Sequence, residues 1–411
     1  MQFERLSKEV ESYKGEMVEL MKDMVAIPSI SPASGGEGEA KRADMLESFL
    51  KKSGFSVRRY DYIDNFKKKR SNLIATIPSK AKQRIWLLSH IDTVSEGDRS
   101  LWSHDPFDAY VKDGKIFGRG TSDNGQGVVS SIFALKALKE LGVETKYAPA
   151  IALVADEEVG SDYGVKALLK EKIFSKGDMF VVPDWGNEKG DAIEVAEKGI
   201  LWLKFTVVGK QVHASTPQKG INAFRISAEL VQRLNKLYKL FGKKDRLFDP
   251  SFSTFEPTKH EKNVESVNII PGKEVFYMDC RVLPDYNLAK VIGFAKNEAA
   301  RLAKESNAQI RVEVYNIEEP AKPTGKNSQL VKLLSSSIEN VKGIKPKLVG
   351  IGGGTVAKYL RDKGMDCAVW ATLPDNAHQP NEYLIIDDMV NDSKVFAHLY
   401  INIKSLASQK D

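Results

Sequence analysis

Three apolar runs mark the first half of the chain, and each finishes in acids or a histidine: RIWLLSH (84–90), APAIALVADEE (148–158) and DMFVVPDWG (178–186). Runs with so little polar alternation predict strands buried on both faces. Between and around them lie segments of helical spacing, near VVSSIFALKALKELG and YGVKALLKEK. Upstream, Val10, Tyr13, Met17, Leu20, Met21 and Met24 recur at helical spacing and predict an opening helix. PSISPASGGEGEA (28–40) is loop chemistry, followed by a helix near AKRADMLESFLKKSG that Gly54 stops, then strands at FSVRRYDYI and SNLIATIP. Strands alternating with helices predict an α/β sheet covered on both faces. Ligands in such sheets gather beyond the carboxyl ends of the strands, which is where His90, Glu157, Glu158 and Asp184 fall.

From about Gly199 the pattern changes. A strand at ILWLKFTVVG, a long helix at INAFRISAELVQRLNKLYKL, strands at ESVNIIPG and EVFYMDCRVLP, a helix around NLAKVIGFAKNEAARLAKES and a strand at QIRVEVYNI follow in turn. That β-α-β-β-α-β order predicts a ferredoxin-like α+β unit with a four-stranded antiparallel sheet. EEPAKPTGKNS (318–328) carries turn residues and reads as the crossing back to helix–strand alternation. With 411 residues the chain exceeds a single core. It divides into a discontinuous domain, 1–199 and 319–411, and an inserted domain, 200–318.

Composition narrows the function classes. Apolar residues are 42% and charged residues 28%, ordinary for a globular protein, and 61 Lys+Arg against 55 Asp+Glu leave a net +6. FKKKR (66–70) is a solvated loop rather than a nucleic-acid patch, so no nucleic-acid partner is expected. The N-terminus has no apolar signal region and no stretch approaches membrane-spanning length, so no membrane partner is expected. Two cysteines, Cys280 and Cys367, outside any CxxC pattern, fit a reducing, cytoplasmic setting.

The chemistry lies in the order of the acids and histidines. His90 and Asp92 end one strand, Asp123 lies in the loop GRGTSDNGQG, Glu157 and Glu158 end the next strand as DEEVG, Asp184 sits in VPDWG and His378 in NAHQPNEY. Two histidines and several carboxylates suit zinc or another first-row divalent ion. Two ions sharing one carboxylate is a recurrent hydrolytic arrangement. Asp92, two residues from His90 on the same strand face, can orient the imidazole. Glu157 and Glu158, being adjacent, point differently, so one can ligate while the other serves as general base. GRGTSDNGQG lacks the Gly-Lys-Ser/Thr ending of a phosphate loop, which leaves nucleotide binding a weak alternative. GIGGGT (350–355) could form a phosphate nest or admit a substrate backbone.

In this order SHIDTV, GRGTSDNGQG, DEEVGS, PDWG, GKQVHAS, NIIPG, DCRVLP, GGGT and AHQPNEY resemble the dinuclear zinc exopeptidase and deacylase family. Its members include acetylornithine deacetylase, succinyl-diaminopimelate desuccinylase, aminoacylase, glutamate carboxypeptidase and carnosinase-like dipeptidases. The resemblance implies a three-layer zinc-peptidase (phosphorylase/hydrolase-like) catalytic domain with the insert as a lid and dimerisation surface. It implies two divalent ions per subunit, Zn²⁺ foremost with Co²⁺ or Mn²⁺ as alternatives. Asp123 would bridge them, with His90 and Asp184 completing one site and Glu158 and His378 the other. Glu157 would take the proton of a metal-bridging water that attacks the amide carbonyl, and return it to the leaving amine. His213 matches the lid histidine that stabilises the oxyanion, and Arg281 the arginine that grips a substrate carboxylate. Asn268, Gly353, Gly354 and Thr355 are further substrate contacts.

The sequence departs from the family at Gln126, where a lysine is usual, so a local charge is expected to be lost. Asp184, where deacylases commonly carry Glu, and the loop GGGTVAK lean toward the dipeptidase side. The expectation is a cytoplasmic, homodimeric metallohydrolase cleaving small peptides as an exopeptidase or dipeptidase. An N-acyl-amino-acid deacylase is the alternative, and a catalytically silent binding protein the remote one.

Overall fold

The computed structural model describes residues 2–401. Residues 402–411, the end of the expected 319–411 segment, lie outside the described residues. The chain forms two compact units. One comprises the chain up to Val195, Thr324–Leu348 and the chain from Thr355 onward; the other comprises Ala196–Pro323 and Val349–Gly354.

The first unit is built on a mixed sheet whose strands run in the order Ser56–Ile63, Lys69–Thr76, Ala148–Val154, Arg84–His90, Met179–Asn187, Asp366–Thr372 and then Ala192–Glu197, which leaves the unit after Val195. Ala148–Val154, Arg84–His90, Met179–Asn187 and Asp366–Thr372 are parallel neighbours, while Lys69–Thr76 joins antiparallel. The apolar runs explain this centre. Trp86, Leu88, Ala152, Val154, Phe180, Val182, Cys367 and Val369 pack with Val165 and Leu168 of helix Val165–Lys170 and with Ala357 and Leu360 of helix Ala357–Asp362. The alternate positions Ile85, Leu87, Ile151, Leu153 and Val181 are equally buried. Helix Gln126–Glu140 packs on these same strands, and helix Ile386–Leu399 packs on it in turn. The result is a helix–sheet–helix sandwich with every parallel strand pointing its carboxyl end the same way.

The second unit carries a four-stranded antiparallel sheet in the order Thr254–His260, Lys273–Val282, Gly199–Val208 and Gln309–Glu318. Leu201, Leu203, Phe205 and Val207 alternate onto the buried face, where they meet Ile226 and Leu230 of helix Ala223–Leu234 and Val291 and Ala295 of helix Leu288–Ser306.

Local boundaries differ from expectation. The opening helix is two helices, Gln2–Ser12 and Lys14–Val25. ESVNIIPG does not supply a strand of the four-stranded sheet: only Ile269–Ile270 pairs, with Val212–His213, and Thr254–His260 takes the edge position. Ala192–Glu197, unassigned from the sequence, is a fully buried strand. Among the described residues, no helix is long and apolar enough to cross a membrane.

Candidate metal centre

The expected ligands converge beyond the carboxyl ends of the parallel strands. His90 ends its own strand, Glu157 and Glu158 follow Val154 by a short turn, Asp184 lies on Met179–Asn187, and His378 follows Asp366–Thr372. Asp123 enters on the loop before helix Gln126–Glu140.

One carboxylate faces both imidazoles. His90 Nε2 stands 2.9 Å from Asp123 Oδ1 and 3.2 Å from Asp184 Oδ1. His378 Nε2 stands 2.9 Å from Asp123 Oδ2 and 3.2 Å from Glu158 Oε2. Ligands spaced around an ion at about 2.1 Å lie roughly 3.4 Å from one another in a tetrahedral shell, and these separations are close to what two centres sharing Asp123 would need. Glu158 Oε1 is buried without a hydrogen-bond partner, a further donor atom for a cation. His90, Glu157 and Asp184 offer ligand atoms within 4.8 Å of one another, which brings the Glu157 carboxylate beside the His90 half of the cluster.

So many acids in one place shift one another. Burial, then the charge of Asp184, holds the Glu157 carboxyl well above the usual range, and Glu158 and Asp123 add to it against the opposing pull of His90. Burial and Asp123 push Glu158 up to about 7. Hydrogen bonds to Asp123 and Glu158 raise His378 to about 10. Burial alone would lower His90, but Asp184 and Asp123 outweigh it and raise it well above its usual value. Burial would raise Asp123, yet the two histidines hold it below the usual range. A cluster in which Glu157 and Glu158 are pushed toward the neutral form and both imidazoles toward the cationic one is short of positive charge, which is the condition divalent cations relieve.

Asp92 meets both the His90 ring and the turn beyond it. His90 Nδ1 donates to the Asp92 backbone carbonyl at 3.0 Å, with the Asp92 carboxylate 3.5 Å away, so Nε2 is the atom left for a ligand role. The Asp92 carboxylate oxygens also accept the Glu157 and Glu158 backbone N–H groups, at 3.0 and 3.2 Å.

Two contributors carried no sequence signal of their own. Asn124 Nδ2 donates to Asp184 Oδ1 at 2.6 Å, fixing that carboxylate toward His90. Glu382, fully buried, accepts the backbone N–H groups of Gly120, Ser122 and Asp123 at 3.0, 2.9 and 3.0 Å and the Arg119 guanidinium at 2.7 Å. Both lie inside motifs quoted above, Asn124 in GRGTSDNGQG and Glu382 in AHQPNEY, where the sequence alone assigns them no role.

The profile of peptidase family M20/M25/M40 matches residues 86–402. The chain belongs to peptidase family M20/M25/M40. As a member of that family it is a metallohydrolase acting on amide bonds. It is 40% identical over 400 residues to an uncharacterized metallohydrolase of Methanocaldococcus jannaschii, covering 93% of this chain and 98% of that one. It is 28% identical over 387 residues to succinyl-diaminopimelate desuccinylase of Sulfurimonas denitrificans, with the same coverage, 93% and 98%. In structure it is similar to aminopeptidase PepT from Bacillus cereus, with a TM-score of 0.77 at 22% identity over 94% of this chain and 98% of that one.

The substrate-side candidates of this M20/M25/M40 member fall mostly in the second unit. Arg281 donates through Nε and Nη2 to Asp279 at 2.8 and 3.0 Å and through Nη1 to the Gly352 carbonyl at 2.9 Å. His213 is exposed, its Nδ1 2.7 Å from Ser215 Oγ. Asn268 lies beside it through the strand pair, its carbonyl accepting from Ala214 N–H at 2.8 Å. A side chain at Gly353 would meet nothing within 4 Å, and one at Gly354 would meet Glu318 and Ile200 at 3.7 Å. Thr355 belongs to the first unit, where its hydroxyl accepts from Ala357 N–H at 3.1 Å. Gln126 keeps the position of the missing lysine as a neutral donor, to Asp392 Oδ2 at 2.9 Å and the Thr372 carbonyl at 2.6 Å.

Proposed function

We propose that the chain is an exopeptidase of small peptides, with Glu157 as general base and two divalent ions, Zn²⁺ foremost, held by His90, Asp123, Glu158, Asp184 and His378. The observation that carries this reading is the Asp123 carboxylate, which turns one oxygen to each imidazole. The ions, when bound, supply Lewis-acid polarisation of the scissile carbonyl and a water acidic enough to attack at neutral pH. The chain's own residues do the rest. Glu157 takes the proton of the attacking water at its carboxylate and hands it to the departing amine nitrogen. Asp92 holds the backbone of that glutamate in place.

Arg281, carried by the second unit, is assigned to the substrate carboxylate, for which a guanidinium fork is suited. His213 is assigned to the developing oxyanion. Asn268, Gly353, Gly354 and Thr355 are assigned to the substrate backbone. The second unit is assigned the roles of lid and dimerisation surface. Its exposed Phe224 and Leu240 support an apolar contact between copies, which sedimentation of the purified chain tests. Two buried free thiols support a cytoplasmic setting.

N-acyl-amino-acid deacylation is a second reading, favoured by full-length similarity to a desuccinylase. Matched free, N-acetylated and N-succinylated dipeptides separate the two. Metal-restored cleavage of the free peptides supports the peptidase; release of acetate or succinate with the free peptides untouched moves the assignment to the deacylases.

A further inference from the structure

The turn that carries Glu157 and Glu158 is gripped from strand Lys69–Thr76, whose Arg70, expected within FKKKR to be part of a solvated loop, is instead buried. Asp156 stands in the left-handed region, at φ 66°, a conformation that costs a non-glycine residue on the order of 1 kcal/mol unless its surroundings hold it. Arg70 Nη1 donates to Asp156 Oδ1 at 2.7 Å, and the Tyr163 N–H donates to Asp156 Oδ2 at 3.1 Å. Asn72 accepts the Ala155 N–H at 3.0 Å and donates to the Tyr163 carbonyl at 2.8 Å. Arg70 and Asn72 are two residues apart on strand Lys69–Thr76 and share one face of it. The turn from Ala155 to Tyr163 is therefore fastened at both ends to one neighbouring strand, while Asp92, two residues beyond the end of strand Arg84–His90, fastens its middle.

Arg70 is itself held firmly. Its Nε meets both oxygens of Glu39, at 2.9 and 3.1 Å, and Glu39 also accepts the Ser71 N–H at 3.1 Å. The Arg70 side chain is only 2% exposed and that of Glu39 not at all. A buried ion cluster of this kind adds little net stability over apolar side chains of equal volume. What a guanidinium fork adds is direction, since its donors leave in a fixed plane.

We propose that Arg70 and Asn72 are positioning residues for catalysis. Through Asp156 and Ala155 they set the orientation of the turn, and so the aim of the Glu157 carboxylate and the seat of Glu158 beside His378. The proposal rests on the assignment of Glu157 as base and Glu158 as ligand.

The test uses the full chain, zinc-loaded and cobalt-substituted, as R70M, R70K and N72A. In folded variants kcat is expected to fall about 30- to 100-fold for R70M and about tenfold for N72A, with KM within about threefold, because the reacting group is misaimed while binding persists. The visible absorption of the cobalt protein, read without substrate, is expected to change as the Glu158 ligand shifts, and R70K is expected to recover part of kcat. A folded N72A with wild-type kcat and an unchanged cobalt spectrum overturns the proposal, even where R70M does not fold. Loss of thermal stability in both variants with kcat and spectrum unchanged reduces the cluster to a structural one and overturns it equally. Failure of the Glu157 assignment itself would show differently, as turnover retained in E157Q, where every Arg70 contact is intact.

Discussion

The carboxylate of Glu382 accepts the backbone N–H of Asp123 at 3.0 Å, across 259 positions of sequence. It takes the N–H groups of Gly120 and Ser122 as well, and its charge is answered by Arg119 at 2.7 Å. The carboxylate that faces both histidines is thus presented by a loop whose donors converge on one side chain. Tyr383–Ile385, the strand that starts next to Glu382, pairs with Lys115–Phe117, just before the loop. Two distant segments are pinned together where the two halves of the cluster meet.

Removing that side chain should cost stability and metal together. In E382A the buried Arg119 loses its carboxylate partner, a change that costs roughly 3–5 kcal/mol. E382Q keeps an acceptor oxygen and should fold, but release metal to a chelator about 10- to 100-fold more readily, as expected when a group supporting a ligand is lost. Unfolding curves for the first variant and chelator competition for the second check this pair.

Glu157→Gln separates base from ligand. The amide cannot take a proton, so kcat should drop by about 10²- to 10⁴-fold. Metal content, measured by atomic emission, should stay at the wild-type level. Metal lost in proportion to activity would make Glu157 a ligand.

Stability should fall on mild acidification through His398. This imidazole is buried against Phe3, with Ser337 Oγ 3.0 Å from Nδ1, and burial lowers its pKa to about 4. The unfolded chain, near 6.5, binds the proton first, so the contribution is complete above about pH 6.5 and is lost as pH falls toward 4. The shift corresponds to roughly 3 kcal/mol. In H398Q the unfolding free energy should lose this dependence between pH 6.5 and 4; an unchanged slope assigns the acid sensitivity elsewhere.

Asp392 carries the opposite sign. Burial raises its carboxyl to about 6, although Lys342 and the donors of Thr372 and Gln126 oppose it. The proton-bound form stabilises the fold below about pH 4, and that contribution is lost as pH rises through 6. Gln126→Lys places a cation where an amide now donates to Asp392 at 2.9 Å. It should lower the pKa of the Asp392 carboxyl, so stability should fall less between pH 5 and pH 8 than in the unsubstituted chain. Denaturant midpoints at the two pH values decide it.

How much of this was legible depended on whether the signal was local. RIWLLSH could be read because every residue between Arg84 and His90 is apolar or small, and the run from Ile85 to His90 is buried. Among the expected ligands, His90, Glu158 and Asp184 could be read because each follows such a run, while Asp123 and His378 rested on the resemblance of their motifs. Ala192–Glu197 could not, since Glu194 looks like surface until Arg361 is seen beside it at 2.8 Å. Thr254–His260 is an edge strand exposed along most of its length, with Pro257 inside it, so no alternation marks it. ESVNIIPG imitated a strand, yet its Val267 is fully exposed. The work of Asp92, Asn124, Arg70 and Glu382 is done through contacts that sequence spacing does not encode. The charge missing at Gln126 is partly offset by Lys342, whose Nζ bonds Thr372 Oγ1 at 2.6 Å from a helix more than two hundred residues away.

The order of the strands has a consequence during synthesis. Asp366–Thr372 pairs with Met179–Asn187 in parallel and is among the last strands to leave the ribosome. Until it arrives, one ladder of Met179–Asn187 is open, the N–H groups around Asp123 lack Glu382, and His378 does not yet exist. A nascent chain therefore displays a sticky sheet edge and only one of the two histidines, and needs shelter from aggregation for most of its translation.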